Sequence, residues 1–363
     1  MGVNTPARSR LVELDALRGL ALIGVCVLNY HGYLVQEGGS WPPGNFAERV
    51  FDPWNGPLST RFAAVFVTLA GMGVSLLAAR AVAAADRQAI SDVRWTLVRR
   101  GVLLYTCGYF LNWVWSGTIL FFYGAYFLAA AVLFTLRWRW LIAIGAGAAL
   151  AAAAVRWWAL DRQSDGHAVT WLLQPPSPDP HSPRELLLDT FVRGTHPLLP
   201  WLVFLCMGMV LGRLLPLSRL WRTRLAVTGA VCLALGYVAG TWLPWHLVLR
   251  STRPFDRGVC FVIAAVGSTL LAVAGLGLLF RRTANRAATR LLADAGRTTL
   301  TIYVGHILVF NLLVHRLGWV HPAGLGTSLV FAVVYWVVAV AAAHELQRRH
   351  ATGPLEWAYR RFS

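Results

Sequence analysis

Three histidines and several arginines carry the residue types that could do chemistry in this chain: His31, His196 and His306, with Asn29 close to the first. Histidine titrates near neutral pH, so each could take a proton from an attacking hydroxyl or amine, or accept a group itself. Asn29 could donate to an oxygen that gains charge during reaction. Asp15 and Arg18 are three apart, a spacing that places both on one helix face. Arg18, Arg99 and Arg100 could hold phosphate oxygens through the planar guanidinium fork. Arg250, Arg253, Asp256 and Arg257 form a second charged group, suited to an anionic ligand. Each feature also has a structural reading. Asp15 can cap a helix while Arg18 marks topology, and Tyr30 and His31 can anchor at an interface. His196 can cap, His306 can be a neutral histidine bonded to a neighbouring helix, and 250–257 can be a solvated loop.

What must position these residues is a membrane bundle. The chain has 363 residues, 57% hydrophobic and only 13% charged, about half the charge of a soluble domain. Net charge is +17, with no lysine at all, so every basic side chain other than histidine is arginine. These arginines flank apolar runs, as topology determinants do, and no soluble basic domain exists to hold nucleic acid. The five cysteines lie within apolar segments without CxxC or Cys/His metal spacing, so neither disulfides nor a metal is expected. The first apolar run continues into Asn29-Tyr30-His31 with no small-residue cleavage site and reads as a retained helix.

Helices are expected near 16–36, 60–83, 97–116, 118–136, 140–159, 197–214, 224–243, 258–280, 298–316 and 325–344, about ten spans. With that count every arginine cluster (80–100, 137–139, 213–224, 281–297 and 348–361) falls on one side, which predicts both termini inside. The fold class is therefore all-α, a single polytopic domain over 1–363 in the plasma membrane. The longest outer loop, 160–196, contains a Pro-rich stretch, then a segment 184–193 spaced for a short helix on the membrane surface. Trp138 and Trp140, with Trp157 and Trp158, mark both headgroup levels of one helix.

Four motifs in order resemble the transmembrane acyltransferases. These comprise heparan-alpha-glucosaminide N-acetyltransferase with its bacterial relatives, the YeiB-like membrane proteins and, more distantly, the acyltransferase-3 enzymes. They are Leu14-Asp15-Ala16-Leu17-Arg18-Gly19 running into Asn29; Phe66 to Gly73; Pro197-Leu198-Leu199-Pro200-Trp201 with Gly208 to Arg213; and Gly296 to Tyr303 with His306. The glucosaminide enzymes place a histidine just before a Ser-Trp pair; here Gly38-Gly39 precede Ser40-Trp41. Acyltransferase-3 enzymes place it eleven residues after the arginine, where this chain has Asn29. His31 is the nearest substitute for both.

The resemblance implies transfer of an acyl group, acetyl from acetyl-CoA, to a sugar hydroxyl or amine at the outer face. His31, Asn29, His196 and His306 are the catalytic candidates. Arg18, Arg99 and Arg100 are candidates for the donor's phosphates, and Trp41, Trp201 and Arg253 for the acceptor. No metal is expected. Expected partners are membrane lipids and a small-molecule or glycan acceptor, with a homodimer allowed. The rival class is a transporter or flippase without acyl chemistry, against which stands the lack of an internal repeat. A sensor or assembly factor is a third reading.

Overall fold

The structure, a computed structural model, describes residues 11–39, 44–173, 182–242, 247–350 and 352–362. Among these residues every regular element is helical. A helix pairs its own backbone groups, which lipid requires of a spanning segment. The principal helices are α1 (Val12–Gln36), α2 (Arg61–Ala83), α3 (Arg87–Val114), α4 (Leu120–Leu133), α5 (Trp138–Ser164), α6 (Pro183–Arg193) and α7 (Leu198–Arg213). They continue with α8 (Arg219–Trp242), α9 (Val259–Arg282), α10 (Ala287–Arg297), α11 (Thr299–Arg316), α12 (Leu325–His350) and α13 (Pro354–Phe362).

All ten predicted segments fall on helices, and the chain is an all-α membrane bundle. Among the described residues six helices, α2, α5, α8, α9, α11 and α12, are long and apolar enough to cross a bilayer. A seventh crossing follows if α6 and α7, bent by 59°, form one broken span. The expected count is larger, for reasons visible in the remaining helices. α1 carries Glu13, Asp15, Arg18, Asn29 and His31 along its length. α3 begins at Arg87 rather than near residue 97 and so adds Arg87 and Arg94 to a helix that already held Arg99 and Arg100. α4 has 14 residues, roughly 21 Å of rise against about 30 Å of hydrocarbon.

α1 packs on α2, α9, α10, α11 and α12. Glycine sets how closely. A Cβ at Gly296 would lie 1.8 Å from the Asp15 carbonyl oxygen, and one at Gly19 2.2 Å from that of Leu292. α1 and α10 therefore meet backbone to backbone, the contact small residues permit where lipid supplies no hydrophobic drive. That approach brings the Asp15 carboxylate within 3.3 Å of Arg297 and 3.4 Å of Arg18.

The segment 184–193 is helical, but its charged side faces inward. Asp189 and Arg193 are buried, whereas Leu187 and Phe191 are exposed. Arg193 donates to Asp189 at 2.7 Å, to the Trp171 carbonyl at 2.9 Å, and to Glu185. Arg257 donates in turn to the carbonyls of Val192, Arg193 and Gly194. A buried guanidinium needs such a full set of acceptors. The pairing fixes the chain just before Thr195 and His196, at the bend into α7. On the lipid side, Trp138, Trp140, Trp157 and Trp158 are all exposed at the two ends of α5. The five cysteines are free thiols.

Candidate functional site

The polar half of α1 meets α11 inside the bundle. Asn29 Nδ2 lies 3.1 Å from His306 Nε2, and the Tyr30 hydroxyl donates to the His306 carbonyl at 3.0 Å. His306 Nδ1–H donates to the Tyr303 carbonyl. That donation leaves Nε2 as the acceptor for the Asn29 amide, a neutral tautomer fixed at both nitrogens. His306 is wholly buried and lines neither cavity described below; its visible effect is to orient Asn29. Tyr303, one turn earlier, accepts from the Ile119 N–H at 2.9 Å and pairs with Thr118 Oγ1 at 3.1 Å. This ties α11 to the Ser116–Ile119 turn between α3 and α4.

Two cavities approach that tie from opposite ends of the bundle. One, about 370 Å³, is lined by Arg18, Arg100, Arg297 and Arg360, with Tyr123, Glu356 and Tyr359. Its counterpart, about 420 Å³, is lined by Asn29, Tyr33, Gln36, Trp54, Asn55, Thr60, Ser116, Thr195, His196, Arg253 and Asp256. Ile119 and Tyr303 line both. The bundle thus holds an arginine-rich chamber and a chamber of amide, hydroxyl and aromatic groups, with Tyr303 standing between them.

α13 closes the arginine-rich chamber. Glu356 accepts from the Leu300 and Thr301 N–H groups at 2.6 and 3.0 Å and from Thr301 Oγ1 at 2.6 Å. The carboxylate thereby satisfies the orphan donors at the start of α11. Docked in this way, α13 presents Tyr359 and Arg360 to the cavity. The Arg100 guanidinium lies over the Tyr359 ring, 5.2 Å from its centroid. Burial pushes the Tyr359 phenol up to about 12, against the opposing pull of Arg100 and Arg18.

In the other chamber, His196 Nδ1 is 2.9 Å from Thr195 Oγ1, whose hydroxyl donates to the Gly117 carbonyl at 3.5 Å. In the tautomer that protonates Nδ1, the Thr195 oxygen accepts from His196 Nδ1–H. Nε2 is then the unprotonated nitrogen, the state a base requires. The ring stands edge-on to Trp201, 4.5 Å between centroids, which holds it in place.

Of the residues singled out from sequence, Arg18, Arg100, Asn29, His196 and Arg253 line a cavity, and His306 stands directly behind Asn29. His31 lines neither; its ring is 3% exposed and Nδ1 pairs with the Phe51 carbonyl at 2.9 Å. Arg99 is exposed and lies off the cavity wall, and Trp201 is buried behind His196. Trp41 lies outside the described residues. Sequence reasoning missed the Ser116–Ile119 turn, Tyr123, Arg297 as a cavity residue and the whole of α13. The available signals were a polar break, Ser116-Gly117-Thr118, between two apolar runs, and Glu356 opening a short amphipathic segment.

Two family models match the chain. Residues 10–248 match the family described as heparan-alpha-glucosaminide N-acetyltransferase, catalytic, and residues 200–363 match one described as a protein of unknown function (DUF418). The two matches overlap across α7 and α8. Asn29 falls in the first and His306 in the second, so the hydrogen bond between them joins the two matched stretches. No curated relative matches the chain.

Proposed function

The chain belongs to the family of the heparan-alpha-glucosaminide N-acetyltransferase catalytic domain, and on that footing we propose that it carries an acetyl group through the bundle. The donor is acetyl-CoA, entering the arginine-rich chamber from the cytoplasmic side. The acceptor is an amine or hydroxyl of a sugar in the opposite chamber, at the outer face of the plasma membrane. The observation that carries this reading is the pair of cavities meeting at Ile119 and Tyr303. Donor and acceptor held in the two chambers would face each other there, and holding reactants in register supplies much of a bimolecular barrier.

The residues present fit that donor. Four arginines line one chamber, Asp15 offsets Arg18 and Arg297, and Arg100 Nε has no hydrogen-bond partner among the described residues. Such groups suit phosphate. On the acceptor side, His196 Nε2 takes the proton from the attacking nitrogen or oxygen. As the new bond to the acetyl carbon forms and the carbon–sulfur bond breaks, the imidazolium returns that proton to the departing sulfur. Asn29, oriented by His306, donates to the carbonyl oxygen as it gains charge.

The test is incubation of the purified protein in lipid with labelled acetyl-CoA and a panel of amino and neutral sugars. Label is expected in a sugar, with free CoA released in equal amount. CoA released only at the uncatalysed rate, with no labelled sugar, would remove the acyltransferase reading.

A further inference from the structure

One buried polar atom in the arginine-rich chamber is left unexplained by the scheme above. The Tyr123 hydroxyl is buried with no hydrogen-bond partner among the described residues. The other buried tyrosine hydroxyls of the bundle are spent. Tyr30 donates to the His306 carbonyl, Tyr126 to that of His196 and Tyr335 to that of Ile302, while Tyr303 pairs with Thr118. An orphaned buried donor forfeits its hydration with no return, so a ligand that completes it gains affinity.

Tyr123 has a defined place in the chamber. Its side chain is only 8% exposed, and it lines the cavity together with Arg18 and Arg100. It lies four residues after Ile119 on α4, one turn or about 6 Å along the helix from the junction of the two cavities. Its ring packs on Phe66 and Tyr126, with centroid separations of 5.5 and 5.7 Å, which fixes where the hydroxyl sits. The hydroxyl therefore stands between the arginines and the site of transfer. Along that stretch an acyl-CoA presents its linear arm, whose hydrogen-bonding groups are amides. The amide carbonyl next to the thioester lies a few bonds from the sulfur, a distance comparable to one helical turn.

Resting on the acyl-CoA reading, we propose that the Tyr123 O–H donates to the amide carbonyl of the donor's arm nearest the thioester. Tyr123 thereby selects amide-bearing thioesters and sets how far the acyl group reaches toward Tyr303.

Tyr123→Phe removes one oxygen and keeps the ring packing. Binding of coenzyme A and of adenosine 3′,5′-bisphosphate, which lacks the arm, is measured by calorimetry on wild type and variant, without recourse to turnover. The variant is expected to bind coenzyme A about 3–10-fold more weakly, the scale of one neutral hydrogen bond, and the bisphosphate unchanged. Equal coenzyme A affinity in both proteins, or an equal loss for the bisphosphate, overturns the assignment. Binding that changes as expected in a protein that transfers no label would separate the two claims: the Tyr123 contact stands and the enzymatic reading falls. A wild type that binds neither probe overturns both. A thermal melt of the detergent-solubilised variant within a few degrees of wild type establishes that the ring packing is intact.

Discussion

His196→Ala is expected to fold, insert and bind donor as the wild type does, while turnover falls by about 10²–10⁴-fold, the range for loss of a general base. His196 lines the outer chamber, whereas His31 and His306 line neither chamber, and with its Nδ1 donating to Thr195 its Nε2 is left to accept the acceptor's proton. The variant leaves Tyr126 its partner, because that hydroxyl donates to the backbone carbonyl of residue 196 rather than to the ring. His31→Ala is the contrast. Its ring lies off both cavities, held by the Phe51 carbonyl, so turnover should stay within a few-fold of wild type while stability falls modestly. Steady-state kinetics on the two variants decides between them. A dead His31→Ala beside an active His196→Ala would return the base to the outer end of α1.

Arg100→Gln is expected to raise the dissociation constant for coenzyme A by about 10–100-fold, since a hydrogen bond to a charged group contributes about 1.5–3 kcal/mol. Arg100 reaches the chamber wall, its Nε lacks a hydrogen-bond partner among the described residues, and Tyr359 supports its guanidinium from below. Arg99→Gln removes the same charge one residue away and should leave affinity within about two-fold, because consecutive helical side chains do not share a face and Arg99 is exposed. Calorimetry at two salt concentrations checks both. Equal losses in the two variants would mean that the arginines act through net charge alone, since such an effect is screened by salt and indifferent to position.

The apolar segments were legible because a helix in lipid writes its length into the sequence. Trp138 and Trp140 even marked the start of α5, although the helix runs past Trp157 and Trp158 to Ser164. The site was legible only in part. Asp15, Arg18, Asn29, His196 and His306 were visible as polar residues in apolar surroundings, where polarity is costly without a purpose. Their partnerships were not, since Asn29 and His306 are 277 residues apart and nothing in either segment names the other. His31 was favoured as the nearest substitute for two family histidine positions, yet place along a helix does not say which way the ring faces. The segment 184–193 was legible as a helix, but its inner contacts were not. Its leucines suggested an apolar outer face, and Leu187 and Phe191 are exposed; the buried Arg193 donates to Asp189, and Arg257 donates to the Val192 carbonyl, contacts that no spacing announced. α13 was missed because Glu356 gains its meaning only from the start of α11, 55 residues earlier in the chain.

In the proposed reaction the acetyl group crosses the bundle where Tyr303 and Ile119 separate the two chambers. Sealed vesicles bearing the protein in one orientation, set by a protease-cleaved tag on α13, test it most directly. Labelled acetyl-CoA, which does not cross lipid, is supplied on the side of the arginine-rich chamber, and an amino sugar is trapped on the other side. Labelled sugar is expected inside the trapped compartment, and none when the sugar is confined to the donor's side. Label appearing only when donor and sugar share a side, or sugar crossing the membrane without acquiring label, would contradict it.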